Sequence, residues 1–250
     1  MAAAISSGAT GGIEDRLVDL HKSALLTIHL TAHQHASELG SLIRHDVDIG
    51  RWASRLQHRP ESKLLLNART EFGYAIYSAA SGLYLQAYAT LRLFLELSFA
   101  TIRFSVDEVL RRQWLADRAD FGWSQTLDPR DGVLAPSFVQ EFYPNAASDA
   151  LRYRDLASKA YRHCSQFIHG KSVAVGRLPS TFSFSEDVLL DWVATAKIAG
   201  TCVLYVLYCR YAEELLPGDD GHLADTLENS FAHLPSVRKL LGLPIDGGQN

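Results

Sequence analysis

Within Tyr161-Arg162-His163-Cys164-Ser165-Gln166-Phe167-Ile168-His169-Gly170-Lys171, an arginine and a histidine stand seven residues apart. Seven residues is close to two turns of an α-helix, so Arg162 and His169 leave the same face. An arginine grips a phosphate with a planar fork of donors, and a histidine moves protons near neutral pH. Such a pair suits chemistry at a phosphodiester. On a helical wheel of roughly 100° per residue, Leu156, Ala157, Ala160, Cys164, Phe167 and Ile168 gather on one side. Ser158, Arg162, Ser165 and His169 form a stripe opposite. The pair therefore faces solvent, a cleft or a partner subunit rather than its own core. Ser158 and Ser165 keep the stripe small and polar, which leaves room for a phosphate.

The same spacing class recurs at Arg16–His21 and Arg51–His58. Context separates the third case. It has an aromatic residue before the arginine, a polar residue after it, and a helix end at His169-Gly170, where glycine suits the position just past the last turn.

The elements that must hold this stripe read as helices almost throughout. Apolar residues at three- and four-residue steps predict a helix over 13–39, with Leu17, Leu20, Ala24, Ile28, Thr31 and His35 on one face. A more polar helix is expected over 41–59, ended by Pro60. The apolar run 64–104 is expected to bend or break at Gly82. A short helix over 106–116 has Ser105 as its expected N-cap. Residues 117–149, with Pro129, Pro136, Pro144 and several aromatics, read as a long packed connection with a short helix near 137–142. Helices over 149–169 and 186–216 follow, then one or two short ones over 222–241. No repeat, sustained heptad array or strand pattern is present. The predicted fold is all-α: a helical bundle with a four-helix core plus additional N-terminal helices. The expected division is a disordered tail over 1–12, N-terminal helices over 13–59, the bundle over 60–243 and a C-terminal tail over 244–250.

Composition narrows the function. The formal net charge of -4 argues against a surface that is basic overall, although a local basic patch remains open. Cys164, Cys202 and Cys209 match neither a disulfide framework nor a paired-cysteine metal motif, which points to buried thiols and a reducing, cytoplasmic setting. The N-terminal residues lack the charge and apolar run of a signal peptide, and the apolar run 198–209 is too short to span a bilayer, so no membrane association is expected.

Other constellations carry less. Arg92, Glu96 and Arg103 share one face of an apolar helix. Arg92–Glu96 reads either as a pair that orients Arg162 or His169, or as a structural ion pair that fixes helix register. His29 and His33 have a helical chelating step with Glu38 nearby, but without a further ligand they read as a solvated face, and no metal is expected. No phosphate-binding glycine loop and no nucleophile elbow appears.

On Tyr161-Arg162-His163 and His169-Gly170 the chain resembles the HEPN (higher eukaryotes and prokaryotes nucleotide-binding) domains, whose motif is an arginine followed by four to six residues and a histidine. Arg92-x3-Glu96 in an early apolar helix, Gln113-Trp114, and Ser165-x3-His169-Gly170 are similar, in that order, to abortive-infection relatives. The resemblance spans roughly 64–216 and leaves out the N-terminal helices. It implies a bundle of mainly four helices and a metal-independent endoribonuclease without a cofactor, acting as a toxin in bacterial defence or a toxin–antitoxin pair. It also implies roles. His169 serves as general base or acid, Arg162 stabilises the charged phosphate, and His163 positions the phosphate or shares proton transfer. Arg92, Glu96, Ser158, Ser165 and Lys171 support them. RNA is the implied substrate, a second copy the implied partner at the motif, and an antitoxin or defence protein a further one. The alternative is a non-catalytic helical module that binds a protein or nucleotide through the same stripe, or a regulatory subunit for a separate enzyme.

Overall fold

The computed structural model describes residues 8–244, and among them all regular structure is helical. Twelve α-helices run in chain order: α1 (Gly8–Gln34), α2 (Ala36–Arg55), α3 (Ser62–Ala80), α4 (Tyr84–Phe104), α5 (Glu108–Leu115), α6 (Trp123–Thr126), α7 (Pro136–Phe142), α8 (Ala150–Ile168), α9 (Ser172–Val175), α10 (Glu186–Leu215), α11 (His222–Phe231) and α12 (Pro235–Leu240). The predicted all-α class is the observed one. The expected tails lie partly outside the described residues, at 1–7 and 245–250, while residues 8–12 are helical.

The sequence explains which helix is central. α10 is apolar on nearly every side, and a helix without a polar face is stable in water only when surrounded. It packs against α2, α4 and α8, and α3 closes the bundle against α4. By length and composition α10 could cross a membrane, more than the 12-residue apolar run suggested, but 78% of its most apolar window is buried inside the fold. α2 is no appendage. Leu42, Ile49, Trp52, Ala53 and Leu56 are fully buried in the same cluster as the α10 side chains.

Three boundaries differ from expectation. The first helix breaks at His35, earlier than periodicity placed it, and the buried ring there stacks on Phe184 at 5.8 Å. α2 stops at Arg55, and the chain turns through 56–61. The cap of α5 is Asp107, whose carboxylate accepts from the Leu110 N–H at 2.9 Å, while Ser105 closes α4. Gly82 does break the apolar run. Its φ is +78°, and a Cβ there would lie 2.9 Å from the Ser183 carbonyl oxygen, so both conformation and space call for glycine.

α2 and α10 meet through His45. Its Nδ1 lies 3.0 Å from the Ser41 carbonyl and its Nε2 3.2 Å from Thr201 Oγ1, an arrangement that suits a neutral ring. Gly200 leaves room for it, since a Cβ there would come within 2.9 Å of the imidazole. Burial lowers the His45 pKa from 6.5, against a raising hydrogen bond to the Ser41 carbonyl. The unfolded chain therefore takes up a proton near pH 6.5 that the folded chain refuses until lower pH. The contribution is complete above pH 6.5 and is lost as pH falls below it. Urea unfolding at pH 7 and pH 5 should show this loss, and His45→Gln should flatten it.

Candidate functional site

α8 carries the motif, and its amphipathic sequence fixes how. Ala150, Tyr153, Ala157, Ala160, Cys164 and Phe167 are buried. Arg162 and His169 are exposed, with Ser158 and Ser165 half-buried on the same side. The expected polar stripe is present. Its far end is held by a defined helix stop: the Gly170 N–H donates to the Phe167 carbonyl and the Lys171 N–H to the Gln166 carbonyl, both at 3.0 Å, with Gly170 at φ +62°. This left-handed cap fixes His169 as the last residue of the turn.

Arg162 and His169 do not converge within one chain. They lie about 10.5 Å apart along the helix axis. The Arg162 Nε–H donates backward to the Ser158 carbonyl at 3.3 Å, which directs the guanidinium away from His169. No hydrogen bond or ion pair links the two among the described residues.

His163 leaves the stripe altogether. It faces the seam with α10, where its Nε2 lies 2.9 Å from Asp191 Oδ2. The Tyr88 hydroxyl donates to the same oxygen at 2.7 Å, and Arg177 Nη1 stands 3.5 Å from it. Burial acts to raise the Asp191 pKa, but the hydrogen bonds from Tyr88 and His163 outweigh it and hold the carboxyl below its ordinary value. Burial, followed by the bond to Asp191, pushes the Tyr88 phenol far up. The geometry thus separates His163 from Arg162 and His169 and ties it to a carboxylate.

The Arg92–Glu96 pair acts on neither Arg162 nor His169 directly. It grips the neighbouring Tyr161. Arg92 Nη2 donates to Glu96 Oε1 at 3.1 Å and to the Tyr161 hydroxyl at 2.5 Å, and that hydroxyl donates to Glu96 at 2.7 Å. The Arg92 guanidinium lies 4.7 Å from the Tyr161 ring centroid, and Trp123 stacks on the same ring at 4.1 Å. The pair is part-exposed at the bundle surface, with side-chain exposures of 26% and 27%, and Arg103 pairs elsewhere, with Asp107. Its role is to seat α8 through the residue before Arg162.

Beside Arg162, α8 and the segment around α6 enclose a groove of about 530 Å³ lined by Trp123, Asp128, Arg154, Ser158, Lys159 and Arg162. Along residues 150–171 stand five Lys or Arg (Arg152, Arg154, Lys159, Arg162 and Lys171) against one acid, Asp155, in a chain of net charge -4. Arg154 is engaged with Asp155. Lys159, Arg162 and Lys171 are exposed, with no carboxylate at ion-pair distance among the described residues.

All three cysteines are buried and free. Burial pushes the Cys164 thiol up to about 12, which keeps it protonated and unreactive. His29 and His33 are exposed on α1, and among the described residues no cluster of three or more His, Cys, Asp or Glu could hold a metal ion.

Sequence reasoning missed Asp191, Arg177, Tyr88 and Trp123 as members of this region. Asp191 had a signal: it is a lone acid in the apolar run Val188-Leu189-Leu190-Asp191-Trp192-Val193, and such a carboxylate needs a partner. Compared with family models, curated proteins and solved structures, the chain has no match.

Proposed function

We propose that the protein is a HEPN-like endoribonuclease, a cytoplasmic toxin of a bacterial defence or toxin–antitoxin system, that cuts RNA at a site built on the outer stripe of α8. The observation that carries this reading is the row of exposed cations along one side of α8, Arg152, Lys159 and Arg162, none with a carboxylate at ion-pair distance among the described residues. Backbone phosphates need such a face, because unpaired Lys and Arg displace condensed counterions. Arg162 holds the scissile phosphate and stabilises the charge that develops on it. Lys159 and Lys171 contact neighbouring phosphates. His169 removes the proton from the ribose 2′-hydroxyl, that oxygen attacks phosphorus, and the P–O5′ bond breaks as the leaving 5′-oxygen takes a proton from water. The products are a 2′,3′-cyclic phosphate end and a 5′-hydroxyl end. His163, pinned by Asp191, orders the helix end rather than contacting the phosphate.

The separation of Arg162 from His169 favours a composite site. Two α8 helices facing each other antiparallel across a two-fold axis bring the arginine of one copy toward the histidine of the other. That same separation is also the observation favouring the second reading, a module that binds RNA or a protein partner without cutting. Incubating the purified full chain with single-stranded RNA in chelator distinguishes them. Cleavage leaving cyclic-phosphate and 5′-hydroxyl ends is expected. Salt-sensitive binding without new ends would support the module instead.

A further inference from the structure

We infer that the crevice between the start of α3 and α5 is a binding site for a small aromatic carboxylate. This site does not rest on the RNA-cleavage reading, because none of its residues lies on α8.

The crevice encloses about 520 Å³, a volume within the range of small-molecule sites. Its floor is apolar. Leu64 and Phe104 are buried and, with Ala100, form a cluster separate from the main core. Trp114 packs on that cluster, with its ring 5.4 Å from Phe104 and tilted by 45°. The facing wall is α5, which has no buried residue although Leu110 and Trp114 rest on the cluster. A helix of eight residues does not hold itself in water, so its place depends on what it packs against. The half-covered wall leaves an apolar slot beside two aromatic rings. A flat ring suits such a slot, because stacked and edge contacts between aromatic groups add to area burial.

The polar end selects the sign of the ligand. Glu61 lines the cavity with a side chain only 1% exposed, but its charge is answered. It accepts from Arg59 Nε at 2.6 Å and from the Tyr211 hydroxyl at 2.9 Å. Glu108 accepts from Arg111 and Arg112, and Glu214 accepts from Arg59. Lys63 lines the cavity too, exposed and with no carboxylate at ion-pair distance among the described residues. It stands in the first turn of α3, whose N-terminus has no side-chain cap, so the partial positive charge of that helix end adds to its own. Arg111 places Nε and Nη2 on Glu108, which leaves Nη1 for a ligand. With the acids engaged, the charge that remains is positive. An anionic head therefore belongs at Lys63, with the aromatic body over Leu64, Phe104 and Trp114. An ammonium head in the same place would meet Lys63 and Arg111.

Calorimetric titration of the full chain with 2-naphthoate and with 2-naphthylmethylamine tests this, since the two probes share a ring and differ in head charge. The naphthoate should bind at one site per chain, about tenfold or more tightly than the amine. Lys63→Glu should abolish that preference. The residue is exposed, so circular dichroism should be unchanged. Trp114→Ala should weaken both probes, because it removes the wall and not the charge. Lys159→Glu, on α8, should leave naphthoate binding as it was. The inference is overturned by no naphthoate binding up to about 1 mM. It is equally overturned by equal binding of the two probes, by a preference that survives Lys63→Glu, or by binding lost in Lys159→Glu.

Discussion

Replacing His169 by alanine should lower RNA cleavage by about 10²–10⁴-fold, the usual contribution of one positioned proton-transfer group. The protein should fold as before. His169 is exposed at the end of α8, and the cap that stops the helix is made by the backbone of Gly170 and Lys171 rather than by the imidazole. Surface substitutions of this kind usually change stability by no more than about 0.5 kcal/mol. A single-turnover cleavage assay beside a urea melt separates the two effects. Cleavage unchanged in His169→Ala would remove this histidine from the chemistry. A melt shifted as strongly as the rate would mean that the side chain supports the helix end.

Tyr88→Ala should have the largest effect on stability among the groups around the site, about 3–5 kcal/mol. The ring is fully buried and stacks face to face on Phe167, centroids 3.7 Å apart and planes at 6°. Its hydroxyl donates to Asp191, which also holds His163. One side chain therefore joins α4, α8 and α10 just beneath the turn that ends in His169. Tyr88→Phe keeps the stack and loses only a hydrogen bond to a charged acceptor, about 1.5–3 kcal/mol. The ranking of the two variants by urea unfolding is the check. If Tyr88→Ala were no worse than Tyr88→Phe, the stack would contribute nothing, and the last turn of α8 would be held by other contacts.

Local periodicity carried most of the fold. The amphipathic pattern of 150–168, the glycine after His169 and the all-round apolar character of α10 each specify a helix and its buried side without reference to the rest of the chain. The helix boundaries that moved did so for more than one reason: the α5 cap passed from Ser105 to Asp107 through a contact only three residues long, with the Leu110 N–H. α1 ends at His35, whose ring stacks on Phe184, a contact that nothing within 13–39 announces. The same limit applies to the site. The stripe of Arg162 and His169 is a one-helix property and was legible. The target of Arg92–Glu96 was not, because Tyr161 lies 65 residues beyond Glu96 and only the α4–α8 packing brings their side chains together. His163 was assigned to the motif by adjacency, whereas a step of roughly 100° around the helix turns it toward α10 and Asp191.

The central claim is that Arg162 and His169 cut RNA together, one from each of two copies. Mixing Arg162→Ala chains with His169→Ala chains tests it directly. Each variant alone should be inactive. In a mixed pair, one of the two composite sites keeps both an intact Arg162 and an intact His169. Half of the pairs are mixed after random exchange, so recovery to about a quarter of wild-type cleavage is the expected result. No recovery on mixing, with exchange of subunits demonstrated, would contradict the shared site.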